Sequence, residues 1–525
     1  MNDELLVSEP PPVTVESLAL ATEVLEQIAD DRGLLETLNG EQLHRLMRAA
    51  GRVAMPPRSA RKRLLRARSK RAHAESVKRK AADDRLLAET GIRKQISTRQ
   101  RKKVCAPRPF NPLPPPRVEH QEAHFGPRLN IPRTCYICKE DFDRLHFFYD
   151  SMCANCAELN WMRRHQTADL TGRYALVTGG RVKIGYQAAL KLLRAGAVVA
   201  VTTRFPRDAA SRFLAEEDSA EWSDRLQLHG IDLRHTPSVE ALAAHLCATL
   251  PRLDFILNNA CQTVRRPPGF YAHLMEAERQ LVETLPKAAR PLLASYEALH
   301  GGGEAGDRDL DLALPAQVDE SLAGIRRAAE LSQIPLVADD TINGPDIFPT
   351  GQYDEDLQQV DLRTVNSWRL RLAEVPTVEL LEVQLVNAIA PFILNARLKP
   401  LMVRVPTRDK HIVNVSAMEG IFYRANKTDK HPHTNMAKAA LNMLTRTSAR
   451  DYIAEGIHMN SVDTGWITDE DPAEIAQRKK EELGFHPPLD IVDAAARICD
   501  PIFHGFLTGE HLWGQFLKDY QTANW

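Results

Sequence analysis

Apolar positions along this chain follow three different rhythms. Between residues 14 and 50, Leu18, Leu25 and Ile28, then Leu43, Leu46 and Met47, recur at helical spacing, and Asn39-Gly40 interrupts them. This predicts a small helical hairpin. From Arg58 to Lys103 the apolar stripe vanishes while good helix formers remain, which predicts a solvated helix or a disordered arm. After about Leu170, short apolar runs alternate with helical patterns up to the C-terminus. The run at 174–177 reads as a buried strand, and strand patterns alternating with helical ones predict an α/β parallel sheet.

A chain of 525 residues has room for two or three domains and a sizeable core. The net charge of -1 conceals an asymmetry: 18 Lys and Arg stand against four acidic residues between Arg58 and Lys103. No Phe, Trp or Tyr precedes Phe110, so this basic arm has nothing on which to stack bases, and any contact with nucleic acid is phosphate-seeking; a partner protein is the other candidate. The run APRPFNPLPPP at 106–116 predicts a stiff extended linker. The start, MNDELLVSEPPPV, has no basic region followed by an apolar one, and no uninterrupted apolar run is long enough to span a bilayer. The expectation is a soluble, cytoplasmic protein with no membrane partner.

Four of the eight cysteines form two tight pairs, Cys135 with Cys138 and Cys153 with Cys156, about fourteen residues apart. A Cys-x-x-Cys knuckle turns both thiolates to one side, and two knuckles give a closed tetrahedral sulfur set, which predicts structural Zn2+. His146, alone between the pairs, reads as a surface residue. A redox-active pair is the alternative.

The segment after the first predicted strand reads Thr178-Gly179-Gly180-Arg181-Val182-Lys183-Ile184-Gly185 and opens a helix. It resembles the phosphate-binding turn of short-chain dehydrogenases/reductases, with Lys183 at the middle glycine position. Further landmarks follow in that family's order. Arg204 ends the second strand and, with Arg181, favours a 2′-phosphate, so the resemblance implies NADP(H) over NAD(H). Asp232 and Leu233 resemble the adenine-contacting pair, and Asn259 and Ala260 the end of the fourth strand, with Cys261 in place of a glycine. Asn387 resembles the family's active-site Asn, holding a relay water. Ser416 would hydrogen-bond a carbonyl oxygen, Lys438 would clasp the nicotinamide ribose, and Ile467 and Thr468 would meet the nicotinamide amide and phosphates. The implied fold is a Rossmann-type doubly wound sheet.

Two departures qualify this resemblance. The family's catalytic tyrosine stands four residues before the lysine, where this chain has Thr434, whose aliphatic hydroxyl is far too weak an acid for that role. Tyr423, His431 and His433 are the replacement candidates, although histidines in so polar a segment read as exposed bystanders. The second departure is an insertion at about 262–380, which should roof the pocket with helices including 317–331 and contain a mobile stretch at 300–307. Within it, 349–381 reads as a lid or partner surface, with ordinary packing favoured. Leu507-Thr508-Gly509 resembles the family's last strand and turn, and the tail to Trp525 is expected at a dimer interface or over the pocket.

The domain reading is therefore a helical region at 1–57, a basic arm and linker at 58–133, a zinc knuckle at 134–165, and the dehydrogenase-like domain at 170–525. Two functions fit: an NADP(H)-dependent oxidoreductase for a carbonyl/alcohol pair with a nonstandard proton donor, or a catalytically inactive cofactor-binding sensor or scaffold.

Overall fold

The computed structural model describes residues 13–95, 125–280, 284–300, 320–354, 358–423, 427–468, 470–483 and 486–525. The proline-rich linker and the predicted mobile stretch beyond His300 lie outside them. The chain divides into two compact units, Met1–Ala81 and Ala82–Trp525.

In the first unit, helices Val15–Asp30 and Gly40–Ala54 flank the predicted break. Each begins with a capping box: Ser17 N donates to Thr14 Oγ1, and Gln42 N donates to Asn39 Oδ1 at 2.9 Å. No described residue of this unit is buried, and Leu18, Leu25 and Met47 remain exposed. The apolar stripes thus produce helices without producing a core. Helix Arg58–Ala88 carries the part of the basic stretch up to Ala88, where the helical alternative is the one observed; residues 96–103 lie outside the described residues.

The second unit starts earlier than the cysteine spacing suggests. Asp83 accepts hydrogen bonds from the backbone of Asn130 and Ile131, and Leu87 and Ile92 join the apolar cluster of the cysteine module. Strand β1 (Phe125–Thr134) pairs antiparallel with β2 (Asp141–His146). The module therefore reaches upstream of residue 134, because a two-stranded ribbon needs a second strand and further cover for its apolar face. Cys153 caps helix Ala154–His165.

Eight strands form the main sheet: β3 (Tyr174–Thr178), β4 (Val198–Thr203), β5 (Leu226–Gly230), β6 (Phe255–Asn258), β7 (Lys410–Ser416), β8 (Ile457–Asp463), β9 (Phe516–Lys518) and β10 (Gln521–Ala523). Their order is β5-β4-β3-β6-β7-β8-β9-β10, and only β10 runs antiparallel. The order reverses between β3 and β6, the switch point at which a doubly wound sheet opens a crevice beyond its strand ends. Helices Lys183–Arg194 and Ile491–Thr508 pack together, as do Thr236–Thr249 and Ala390–Val403. The combined helix Thr377–Val403 is long and apolar enough to cross a membrane by length and composition, yet Leu394, Leu398 and Leu401 lie in the core of the sheet domain.

Two expectations need correction. Leu507 and Thr508 end helix Ile491–Thr508, and Gly509, at φ 76°, is its left-handed cap; the last parallel strand is β9. In the insertion, the described part of 317–331 consists of single helical turns, Glu320–Leu322, Ala323–Arg326 and the start of Glu330–Gln333. The insertion instead builds a small core of its own, in which Phe270, Tyr271, Leu274 and Phe348 gather on Phe205 just past β4.

Candidate functional site

A cleft of about 360 Å³ opens at the switch point. Every predicted cofactor residue except Thr178 and Lys438 lines it. Helix Lys183–Arg194 begins at this cleft, so its first backbone N–H groups form an anion-receiving end. Close approach there is enforced: a Cβ on Gly185 would stand 2.4 Å from Gly179 O and 2.3 Å from Asn259 Nδ2. Lys183 takes φ 55°, a left-handed conformation costing a side-chain-bearing residue roughly 1–2 kcal/mol. Its ammonium lies 3.8 Å from Glu470, another residue of the cleft.

Thr178 is a staple, not a cofactor contact. Buried, it accepts hydrogen bonds at Oγ1 from the backbone N of both Asn259 and Ala260, each at 3.0 Å, and so ties the end of β3 to the segment after β6. Asp232 also differs from expectation, because its carboxylate faces Arg234, with Nη2 at 2.6 Å. Arg234 continues to Glu382 at 2.6 Å, and Glu382 also accepts from Arg265 Nε at 2.8 Å. Arg181 is buried and paired with Asp208 at 2.7 Å. Arg204 is different: among the described residues it forms no ion pair. It lies over the ring of Tyr271, 4.6 Å from the centroid, and donates to its hydroxyl at 2.8 Å. Burial would push the Tyr271 phenol up, but the cations around it, Arg204 foremost, hold it below its ordinary value. The insertion thus contributes Tyr271, Arg265 and Arg266 to the cleft, none of which was foreseen beyond the expectation of a roof.

Lys438, which like Ser416, Thr434 and Asn387 is not among the residues lining the cleft, is buried, and its ammonium donates to Val415 O at 2.7 Å, next to Ser416 at the end of β7. Ser416 and Thr434 are 2% and 3% exposed, and among the described residues neither hydroxyl has a hydrogen-bond partner. Buried hydroxyls left this way cost free energy unless a ligand atom completes them. Asn387 lies in a π-helical turn and is tied to Gln262: Oδ1 accepts from Gln262 N at 2.7 Å, and Nδ2 donates to Gln262 O at 3.3 Å.

The proton-donor candidates separate. Tyr423 is half exposed, next to residues outside the described set. His431 and His433 are buried, contrary to the solvent-exposed reading, because the insertion covers them. His433 lies 3.3 Å from Glu379. His431 stacks on Trp368 at 3.9 Å with the rings 8° apart, and its Nδ1 has no partner among the described residues. Segment 349–381 therefore packs on the site through Trp368.

In the cysteine module the four sulfurs lie within 4.8 Å of one another, with Cys138 and Cys153 3.6 Å apart. Zinc–sulfur bonds of about 2.3 Å in a tetrahedron put sulfurs about 3.8 Å apart, so the set fits that ion. Burial and the neighbouring thiols push Cys153 and Cys156 up, so a cation is what allows all four to ionise together. His146 is no surface residue: it is 1% exposed, and its Nδ1 accepts from the backbone N of Phe148 and Tyr149.

Comparison with known proteins agrees with this architecture. Residues 173–284 match the short chain dehydrogenase family model, and 365–489 match the enoyl-(acyl carrier protein) reductase model. The chain belongs to the short-chain dehydrogenase/reductase family. Residues 285–364, between the two matched stretches, fall in the insertion. An uncharacterised protein of Acanthamoeba polyphaga mimivirus is 30% identical over 397 residues, covering 74% of each chain. A match of that extent is longer than 170–525 and so runs into the cysteine module. The (-)-isopiperitenone reductase of Mentha piperita is 34% identical over 91 residues, 17% of this chain and 28% of that enzyme; dehydrogenase/reductase SDR family member 13 of Bos taurus is 35% identical over 105 residues, 19% and 27%. The chain thus spans under a third of the length of these two relatives. Among solved structures, the Pseudomonas aeruginosa RhlG/NADP complex is 18% identical, with 67% of this chain and 95% of that one covered and a TM-score of 0.40.

Proposed function

We propose that this protein is an NADP(H)-dependent oxidoreductase of a carbonyl/alcohol pair, with a structural zinc in its cysteine module. The observation that carries the reading is that the hydroxyls of Ser416 and Thr434 are both buried without a hydrogen-bond partner among the described residues, Ser416 following the Val415 carbonyl that the Lys438 ammonium meets and Thr434 one helical turn before Lys438. They would receive a substrate oxygen in a site otherwise closed to water. A nicotinamide bound in the cleft supplies or takes up the hydride. Arg204 would hold the 2′-phosphate, since among the described residues it alone of the cleft's guanidinium groups named above forms no ion pair. Cys135, Cys138, Cys153 and Cys156 would hold the zinc, fixing the module's shape without joining the reaction.

Proton exchange in this reading falls to His431. It stands as the N-cap, with a left-handed backbone at φ 43°, immediately before helix Pro432–Ala454, whose first two turns carry Thr434 and Lys438. Burial holds its imidazole below the ordinary value, against the attraction of Glu419. At neutral pH the ring is therefore uncharged and ready to take a proton from an alcohol. Carbonyl reduction needs the protonated ring and should accelerate only as pH falls below the range in which an ordinary imidazole takes up its proton.

A second reading, a cofactor-binding sensor without turnover, is favoured by Thr434 standing where the phenol is missing. Calorimetry with NADPH, followed by NADPH oxidation across a broad carbonyl panel, separates the two. Turnover that His431→Gln lowers by about a hundredfold with unchanged NADPH affinity supports the enzyme. Tight NADPH binding with no turnover on any substrate selects the sensor. No binding of either nicotinamide nucleotide at millimolar concentration removes both.

A further inference from the structure

We infer that the cysteine module forms the back wall of the nucleotide cleft, and that Tyr136 is the positioning residue through which zinc loading sets nucleotide affinity. The inference rests on the nucleotide reading of the cleft. Tyr136 sits within the first knuckle, one residue after Cys135 and two before Cys138. Its backbone N donates to Ser151 O at 2.8 Å, tying the first knuckle to the residues just before the second. Its hydroxyl accepts from Trp466 N at 3.0 Å, and Trp466 immediately precedes Ile467 and Thr468, which line the cleft.

The chain passes so near the module here that a side chain has little room. Gly465 takes φ 79°, and a Cβ on it would stand 2.5 Å from Leu489 and 3.4 Å from the Tyr136 hydroxyl. Apolar packing continues the wall: Phe148, Tyr149 and Trp161 of the module share one buried cluster with Ile467, Leu489 and Ile491, and Ile184 packs against it. Ile184, Ile467 and Ile491 present themselves to the cleft as well.

A polar seam runs beside this cluster. Tyr149 donates to Asp493 at 2.6 Å, Arg164 reaches Asp490 at 2.6 Å and Asp493 at 2.8 Å, and Arg497 donates to Asn160 at 2.8 Å. All these groups are buried, so loosening the module would strand charges in the interior. A small ribbon with one short helix depends on its metal for a fixed shape. If metal holds the knuckle, the knuckle holds residues 465–468, and these hold the nucleotide, then the two ligands must stabilise each other by the same factor.

The test uses the full-length, zinc-loaded protein. Zinc release to a colorimetric chelator is timed with and without NADPH, and NADPH affinity is measured by fluorescence titration on loaded wild type, zinc-stripped wild type and Tyr136→Phe. The variant keeps the ring and all four thiols and removes only the acceptor of the Trp466 N–H. NADPH should slow zinc release about fivefold or more. Tyr136→Phe should retain one zinc per chain and bind NADPH about fivefold more weakly, the effect of one neutral hydrogen bond. Stripped protein should bind it at least tenfold more weakly. Equal NADPH affinity in loaded wild type and Tyr136→Phe, with zinc release indifferent to NADPH, would overturn the linkage and leave the nucleotide reading intact. A loaded wild type that binds no NADPH removes that reading, and the linkage with it.

Discussion

In the proposed reading, the two ends of the site are built on opposite terms. At the nucleotide end most cations already have a partner: Arg181 has Asp208, Arg234 has Asp232 and Glu382, Arg265 has Asp340 and Glu382, and Lys183 has Glu470. At the reaction end, Ser416 and Thr434 have none among the described residues. Paired charges fix the shape of a cleft before anything enters it, so the nucleotide has little left to order. Unpartnered buried hydroxyls do the reverse: they store an unfavourable desolvation that a substrate oxygen relieves. A protein that only sensed a nucleotide would gain nothing from that second arrangement.

The sharpest way to break this contrast is at Lys438. Lys438→Ala removes the ammonium that meets Val415 O, and turnover should fall about a thousandfold with the fold retained by circular dichroism. A Lys438→Ala protein with wild-type turnover would mean the hydroxyls work unaided or not at all. Ser416→Ala should cost about a hundredfold in kcat while NADPH affinity stays within a factor of two; a drop in affinity with kcat intact would move Ser416 to the binding side of the divide.

The next effect concerns stability at the reaction end. Asp463 is the register partner of Ser416 and accepts from Met418 N. Burial, with Asp519 and Glu419 nearby, pushes its carboxyl up from 3.8 to about 6. The native state then holds a proton that the unfolded chain has released, so stability declines as pH rises from about 4 to about 6 and stays lower above that. Asp463→Asn should abolish this decline and raise stability at pH 7 by about 2–3 kcal/mol in denaturant titration. At the nucleotide end the effect is smaller and selective: Arg204→Leu should weaken NADPH binding by about thirtyfold and leave NADH binding unchanged. Equal losses for both nucleotides would show that Arg204 supports the cleft's shape and does not read its ligand.

Much of this was legible in the sequence, for reasons particular to each part. Strand β3 was plain because it is buried and reads as an apolar run, β7 because its residues follow the family's pattern, and Asn39-Gly40 marked the break between two helices. Gly509 misled because a glycine that caps a helix and one that closes a turn look alike in sequence. The roles of Thr178, Asn387 and Asp232 were hidden because each side chain spends its hydrogen bonds on the protein, a choice set by atoms far along the chain. Tyr136 meets Trp466 across 330 residues and Arg204 meets Tyr271 across 67; such pairs leave no periodic trace. The burial of His431 and His433 likewise depends on Trp368 and Glu379, which stand many residues upstream.

The tie between Gln262 and Asn387 has a broader consequence. It joins the two roots of a long detour, the residue just past β6 and the helix that resumes the family pattern, by two hydrogen bonds. With its base pinned, such an excursion can lengthen, shrink or be exchanged at an entropic cost that grows only logarithmically with its length, while the strands beneath keep their register. The same enzyme framework could in this way acquire new substrates by replacing the canopy and leaving its foundations alone.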